Sequence, residues 1–381
     1  MNQDGWKHCV LGDLVELKRG YDLPHQSRED GPFPIVSSSG ITGFHSEPKV
    51  RGPGVVTGRY GTLGEVFYIE KDFWPLNTSL YVRDFKGNNS KFVAYLLKSL
   101  DLGRNNAAGA VPGVNRNHLH SLKIVAPSIE IQGRIATFLS AYDDLIENNT
   151  RRIEILEEMA RRLYEEWFVQ FRFPGHEGVG FKKSELGLIP ENWDIHPLYD
   201  VAEVTYGHPF KASQFNEDGV GLGIVRIRDI KAGEVKTYTS EEGKPKHLIE
   251  NGDILIGMDG QFHMGKWAGG QAWLVQRVAR FRPIQIGRYF LFLSLERPIK
   301  HLENTIVGTT VAHLSAKDLQ KLHVVVPEKA VLDAASAFLE PLYDLEMKLR
   351  RKNANLRAQR DLLLPKLISG EIDVSDIPMP T

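Results

Sequence analysis

The sequence predicts an α+β chain: two similar mixed α/β domains joined by two long helices that form an antiparallel coiled coil, a pseudo-twofold internal duplication. Three observations predict it. Pro127–Phe168 aligns with Pro327–Ile368 over 42 positions without a gap, placing Phe138-Leu139 on Phe338-Leu339, Asp144-Leu145 on Asp344-Leu345, Leu156 on Leu356 and Leu163 on Leu363. Within each copy an apolar position recurs every seven residues, at Ile135, Tyr142, Leu156 and Leu163, then at Ala335, Leu342, Leu349, Leu356 and Leu363. That spacing is a heptad seam. Each helical stretch also follows a region of short β-like runs broken by Gly, Pro and Asn. A period of 200 residues is far longer than any stacked repeat, so the unit duplicated is a domain with its helix.

Residues 1–127 read as the first domain. Val55-Val56-Thr57, Val66-Phe67-Tyr68-Ile69 and Leu80-Tyr81-Val82 are strands, and a helix is expected from about Lys91 to Leu100. Residues 128–172 read as the first long helix, and its Pro127 is expected in the first helical turn, where a missing N–H costs nothing. Asn149 occupies a seam position among apolar residues and would fix register at some cost in stability. Residues 173–187, with Pro174-Gly175 and Gly178-Val179-Gly180, read as an irregular linker.

Residues 188–326 repeat the plan. Trp193 matches Trp6, Ile254-Leu255-Ile256 is a strand, and Tyr289–Leu295 is the counterpart helix. Residues 327–370 form the second long helix. Pro341 stands where the first copy has Ala141, so a kink or a delayed start is expected. Residues 371–381 lack periodicity and read as a frayed tail. About 40 residues at ~1.5 Å each make helices of roughly 60 Å, longer than a domain face, which favours pairing of the two helices with each other.

Composition narrows the function. At 42% hydrophobic and 25% charged, the 381 residues fit an ordinary soluble globular protein. No apolar run is long enough to span a membrane, and the start Met1-Asn2-Gln3-Asp4-Gly5 has no signal-peptide pattern. The single cysteine, Cys9, fits a reducing cytoplasm and excludes a cysteine-built metal site. Residues 1–127 carry 15 Lys/Arg against 12 Asp/Glu, and 128–172 carry 6 against 9. Residues 173–326 are balanced at 18 each, and 327–381 carry 8 against 9. Acid therefore concentrates in the helices, and a nucleic-acid partner would need part of its phosphate charge neutralised by another subunit.

Several motifs together identify a family. Arg360-Asp361-Leu362-Leu363-Leu364-Pro365-Lys366-Leu367-Ile368-Ser369-Gly370-Glu371-Ile372 resembles the C-terminal signature of the specificity (S) subunits of type I restriction–modification systems. Leu163-Tyr164-Glu165-Glu166-Trp167-Phe168-Val169-Gln170-Phe171 resembles the matching signature of the first helix. Gly252-Asp253-Ile254-Leu255, Gln276-Arg277-Val278 and Gly58-Arg59-Tyr60-Gly61-Thr62-Leu63-Gly64 are similar to recurring elements of target recognition domains. The resemblance spans essentially the whole chain. It implies that each domain reads one half of a split DNA sequence and that the helical rod sets the unread gap. It also implies partners: double-stranded DNA, two DNA adenine methyltransferase subunits, and restriction motor/endonuclease subunits. The chain itself would be non-catalytic and carry no cofactor.

The residues agree with a lack of chemistry. The Asn/Asp-Pro-Pro-aromatic motif of amino-methyltransferases is absent, as is a Gly-x-x-x-x-Gly-Lys-Ser/Thr loop. His208, His263 and His313 lack metal-ligand spacing. Base readout needs forked donors and acceptors. Candidates are Arg59, Asn77, Asn115, Arg116 and Ser38 in the first domain, with Tyr60 and Thr62 on the same loop. In the second they are Arg226, Arg228, Gln261, His263, Gln276 and Arg277. Lys18, Arg19, Lys211 and Lys266 suit phosphate contacts. Gly257-Met258-Asp259-Gly260 holds the place of the Arg59 loop but lacks its arginine, so the domains should read different sequences. Trp167, Phe168 and Phe171 lie off the seam, either packing on the neighbouring domain or docking a methyltransferase. The rival readings are a nuclease or stand-alone methyltransferase with duplicated DNA-binding domains, and a coiled-coil interaction protein with no role at DNA.

Overall fold

The computed structural model describes residues 5–100, 102, 113–305, 312–375 and 377. They form two compact units, one of Met1–Ile146 with Leu356–Thr381, the other of Glu147–Asn355.

In the first unit, four antiparallel strands run in the order Glu16–Arg19, Ser79–Asp84, Gly54–Gly58, Val66–Ile69. A smaller sheet places Phe33–Ser37 antiparallel to Gly40–His45 and parallel to Trp74–Pro75. The helix Ser90–Ser99 begins where the Asn89 side chain accepts the Phe92 N–H at 3.0 Å, an N-cap bond that satisfies an otherwise orphaned donor. Its Phe92, Leu96 and Leu97 join Leu17, Val55 and Leu80 in one core, closed by Ile135 and Leu139 of the first long helix and Leu367 and Ile368 of the second. Trp6–Val10 pairs antiparallel with Lys123–Pro127, so the opening and closing strands of this domain are neighbours.

The second unit repeats this order with Ala202–Tyr206, Val278–Pro283, Ile254–Gly257 and Met264–Lys266. Leu222–Val225 pairs parallel to Ala272–Leu274, and Asp194–Pro197 pairs with His323–Val326. The duplication holds down to single hydrogen bonds. Gly20 N–H donates to Ser79 O and Gly207 N–H to Val278 O, at 3.1 and 3.0 Å. Both glycines are required by close approach: a Cβ on Gly20 would lie 2.2 Å from Leu76 O, and one on Gly207 2.0 Å from Val275 O.

The long helices span Ile129–Tyr164, followed by a π-turn Glu165–Val169, and Lys329–Ile368. Within the first unit, the Arg360 guanidinium pairs with Asp143, which also accepts the Tyr95 hydroxyl at 2.6 Å. Within the second, Asn149 Nδ2 donates to Asn353 Oδ1 at 2.9 Å, and Arg350 Nη2 lies 2.7 Å from Glu157. Rising numbers on one helix meet falling numbers on the other, so the pairing is antiparallel. Ile135, Leu139, Ile146, Asn149, Ile153, Leu156 and Ala160 are all buried, the alternating spacing of a coiled-coil seam.

Several expectations need correction. Asn149 faces Asn353 as well as apolar neighbours, so its amide has a polar partner in the seam. Pro127 is the last residue of a strand, and the helix starts at Ile129 with Ser128 as its capping position. Pro341 neither delays nor interrupts the second helix, which starts at Lys329. The counterpart helix in the second unit is longer than Tyr289–Leu295, running Arg288–Thr305 through Pro298. The linker is not wholly irregular, because Phe181–Ser184 and Gly187–Pro190 form a hairpin. Its turn is held by Ser184, which donates to Gly187 O at 2.7 Å and accepts the Leu186 N–H. The tail is tied down as well. Val374 is buried in the first core, and Arg134 donates to Val374 O and Ile377 O at 2.8 and 2.7 Å. Residues 1–4, 376 and 378–381, at the two ends discussed above, lie outside the described residues.

Candidate nucleic-acid interface

Each unit builds a cleft at the same place, where the first strand of the main sheet ends beside a turn and the start of a short helix. In the first unit, Val114 N–H donates to Arg59 O at 2.9 Å and Tyr60 bridges to Gly113. This fixes the Gly58–Gly64 turn against the capping segment of Arg116–His120, whose Asn115 side chain accepts the Asn117 N–H at 2.9 Å. The cleft between them has a volume of about 440 Å³ and is lined by Arg19, Arg59, Tyr60, Leu80 and residues 113–116. The Arg59 guanidinium stacks over the Tyr60 ring at 4.5 Å and reaches its hydroxyl at 3.3 Å. Arg19 pairs with Asp22 at 3.6 Å, an exposed contact that water largely screens. Among the described residues, three guanidiniums and no carboxylate line this cleft, which suits it to phosphates and to acceptor-rich base edges.

The second unit repeats the backbone. Leu314 N–H donates to Met258 O at 2.8 Å, Asp259 bridges to His313, and Ser315 caps Ala316–Gln320 through the Asp318 N–H. The cleft is smaller, about 210 Å³, and is lined by Tyr206, Gly207, Met258, Gln276, Arg277, His313, Ser315 and Ala316. An arginine enters it after all, from the turn of Val275–Val278. Arg277 Nε lies 3.4 Å from Asp259, which also accepts the His313 Nδ1–H at 2.6 Å.

The structure thus brings together Arg19, Arg59, Tyr60, Asn115 and Arg116 in one cleft and Gln276 and Arg277 in the other. Ser38 and Thr62 flank the first cleft: a Cβ on Gly61 would meet Ser38 Oγ at 3.4 Å, and Thr62 O lies against Gly58. Lys18 sits beside Tyr21, and Asn77 hydrogen-bonds Asp22. Lys211, Arg228, Gln261 and His263 are off the second cleft. Burial, with Lys231 adding to it, holds the His263 imidazole below its ordinary value. Arg226 is engaged internally with Thr237 and Asp229 at the start of Ile227–Ala232.

Two expectations fail. Lys266 is not presented to phosphate: its side chain is 3% exposed, and the ammonium lies 2.8 Å from Glu346, 3.1 Å from Glu157 and 3.3 Å from the Tyr289 hydroxyl. A buried ammonium needs such partners. Trp167 and Phe168 are not free for docking either. Both are buried in the core of the second unit, Phe168 edge-on to Phe290 at 4.9 Å. Phe171 packs half-buried on Trp193 at 5.4 Å. Sequence reasoning missed Tyr206 and Ser315, and it named Asp259 and His313 without giving either a place in the site. The signal was available in part, since Ser315 lies 200 positions after Asn115.

Among the described residues no group of His, Cys, Asp and Glu could hold a metal ion, and no helix is long and apolar enough to cross a membrane.

Comparison with known proteins agrees with this duplicated plan. The description "Type I restriction modification DNA specificity domain" matches twice, at residues 3–158 and 190–356. The chain is 27% identical to the type I restriction enzyme MjaVIII specificity subunit of Methanocaldococcus jannaschii, covering 98% of this chain and 94% of that one. It is 24% identical to the MjaIX specificity subunit of the same organism, covering 80% and 74%. The fold is shared with the crystal structure of a type I restriction–modification S subunit from M. genitalium, with a TM-score of 0.63, 17% identity and 98% coverage of both chains. With two matched domains, two clefts and a paired-helix seam, the chain belongs to the family of type I restriction–modification specificity subunits.

Proposed function

We propose that this chain is the non-catalytic DNA-reading subunit of a type I restriction–modification complex. Each cleft reads one half of a split site, and the two long helices set the number of unread base pairs between the halves. The carrying observation is the same backbone cleft built twice with different side chains: Arg19, Arg59 and Arg116 in one, Gln276, Arg277 and His313 in the other. A repeated frame with altered lining is what two different half-sites require, because base identity is read by side-chain donors and acceptors while the frame supplies placement.

The partners are double-stranded DNA, two adenine methyltransferase subunits and restriction subunits, acting in the cytoplasm. Methylation would fall to the partner, which must extrude the target adenine from the duplex. Base readout in the first unit falls to Arg59, Asn115 and Arg116, with Arg19 and Lys18 on the backbone phosphates.

The test is a genome-wide adenine-methylation map of the host with the native chain, without it, and with Arg59→Ala. The expected result is one split motif that disappears without the chain and loses definition in a single half with Arg59→Ala. An unchanged map in a host whose methyltransferase is active would overturn the proposal, as would cleavage of DNA by the purified chain with magnesium alone.

A further inference from the structure

Arg277 sits where a glycine is favoured. The turn Val275–Val278 is closed by the Val278 N–H on Val275 O at 3.1 Å, and its third residue, Arg277, has φ +75°. A non-glycine residue in that region is strained, and such strain persists where the surroundings impose it, often at functional positions. The matching turn of the first unit, Leu76–Ser79, closes through the same bond at 2.9 Å. Its third residue, Thr78, is not among the positive-φ residues. The strained arginine therefore belongs to the second cleft alone.

Two residues meet its side chain. Asp259 lies 3.4 Å from Nε, and Nη1 lies 3.2 Å from His313 Nε2. His313 in turn donates Nδ1–H to Asp259 at 2.6 Å, and Arg277 Nη1 packs against the imidazole, 3.4 Å from Nδ1 as well as 3.2 Å from Nε2. Nη2 has no partner among the described residues, and Arg277 lines the cleft together with Gln276 and Ser315. A guanidinium anchored on one side with donors left over suits a pair of acceptors on a planar edge. In duplex DNA the major-groove edge of guanine, with N7 and O6, offers that pair.

We infer that Arg277 reads a guanine in the half-site of the second unit, with Asp259 and His313 as positioning residues that fix the angle of its fork. This rests on the DNA-reading function proposed above and names the base that one cleft reads.

Selection from random-sequence duplexes, with the full chain in its methyltransferase complex, tests it. The wild type should select a split motif with an invariant guanine in one half. Arg277→Gly should keep or raise the thermal midpoint, since glycine suits the turn, while discrimination at that guanine falls roughly 5- to 150-fold. The other half should stay unchanged. Asp259→Asn, which keeps the guanidinium but weakens its hold, should relax the same position part-way. Unaltered preference in Arg277→Gly overturns the inference alone. So does a loss uniform across all sequences with a salt slope shallower by about one charge, the mark of a phosphate contact. Absence of any motif in the wild type overturns the DNA-reading function with it.

Discussion

Lys266→Met should unsettle the second unit selectively. The ammonium is buried between Glu346, which is 0% exposed, and Glu157, and both carboxylates also bind Arg350. With methionine, one guanidinium faces two carboxylates. Removing one partner of a buried pair costs about 3–5 kcal/mol. Here the cost should fall near the lower end, because Glu346 keeps the Arg350 Nε and the Tyr289 hydroxyl, each at 2.8 Å. With a urea dependence of roughly 2–3 kcal/mol per molar, ~3 kcal/mol lowers the midpoint by about 1 M. Tryptophan fluorescence reads this, as Trp167, Trp193, Trp267 and Trp273 lie in the second unit and Trp6 and Trp74 in the first. The two transitions must be fitted separately, since a two-unit chain is not two-state. Lys266→Met/Glu346→Gln should recover part of the loss, because it removes the surplus charge. A single-variant shift under about 0.3 M, or a double variant no better than the single, would refute the reasoning that charge balance holds this core.

Other predictions concern the seam, a histidine and the tail. Asn149→Leu removes the bond that Asn149 donates to Asn353 Oδ1, while Asn353 keeps Thr150 at 3.1 Å, and should cost about 0.5–1.5 kcal/mol in thermal unfolding, of which Asn149→Leu/Asn353→Leu should recover part. His120 Nε2 accepts the Leu17 N–H at 2.9 Å, and burial, then Arg116 and Lys86, hold its imidazole below the ordinary 6.5. The unfolded chain therefore takes up the proton first. Stability from this site is full above 6.5 and falls as pH drops through 6.5 toward the folded value. His120→Gln should flatten that dependence in melts from about pH 7.5 to about pH 5.5. Arg134→Ala frees two carbonyls and should expose the tail to limited proteolysis near Ile377 at a cost of about 1–2 kcal/mol.

The features legible in the sequence were those with a period. The seam from Ile135 to Ala160 is a spacing rule, so the helices, their pairing and the duplication could be read directly. The Arg59 turn was legible because its glycines and flanking strands are local. Lys266 was not. It follows Gly265 in a stretch that looks solvated, and its partners Glu157 and Glu346 lie 109 and 80 positions away. Burial of a lysine is decided by such distant carboxylates, which leave no local mark. Trp167 and Phe168 failed similarly: they lie off the seam, and nothing nearby in sequence names Phe338 as what packs on Trp167, or Trp193 and Phe290 as what pack on Phe168. Arg277 was chosen for its chemistry, yet its place opposite Asp259 and His313 depends on a turn geometry that only the fold supplies.

The composition of the first unit sets an order of events during synthesis. It contains Met1–Ile146 and Leu356–Thr381, so its core waits for Leu367, Ile368 and Val374. At ~5–20 residues per second, the intervening stretch takes roughly 10–40 s to emerge. For that time the cluster holding Leu97, Ile135 and Leu139 lacks Leu367, Ile368 and Val374. The amino-terminal unit is therefore the last to be finished, and a ribosome that stops short of residue 356 leaves damage in the part made first. The unit begun by residues 1–146 thus registers in its own core whether residues 367–374 have followed.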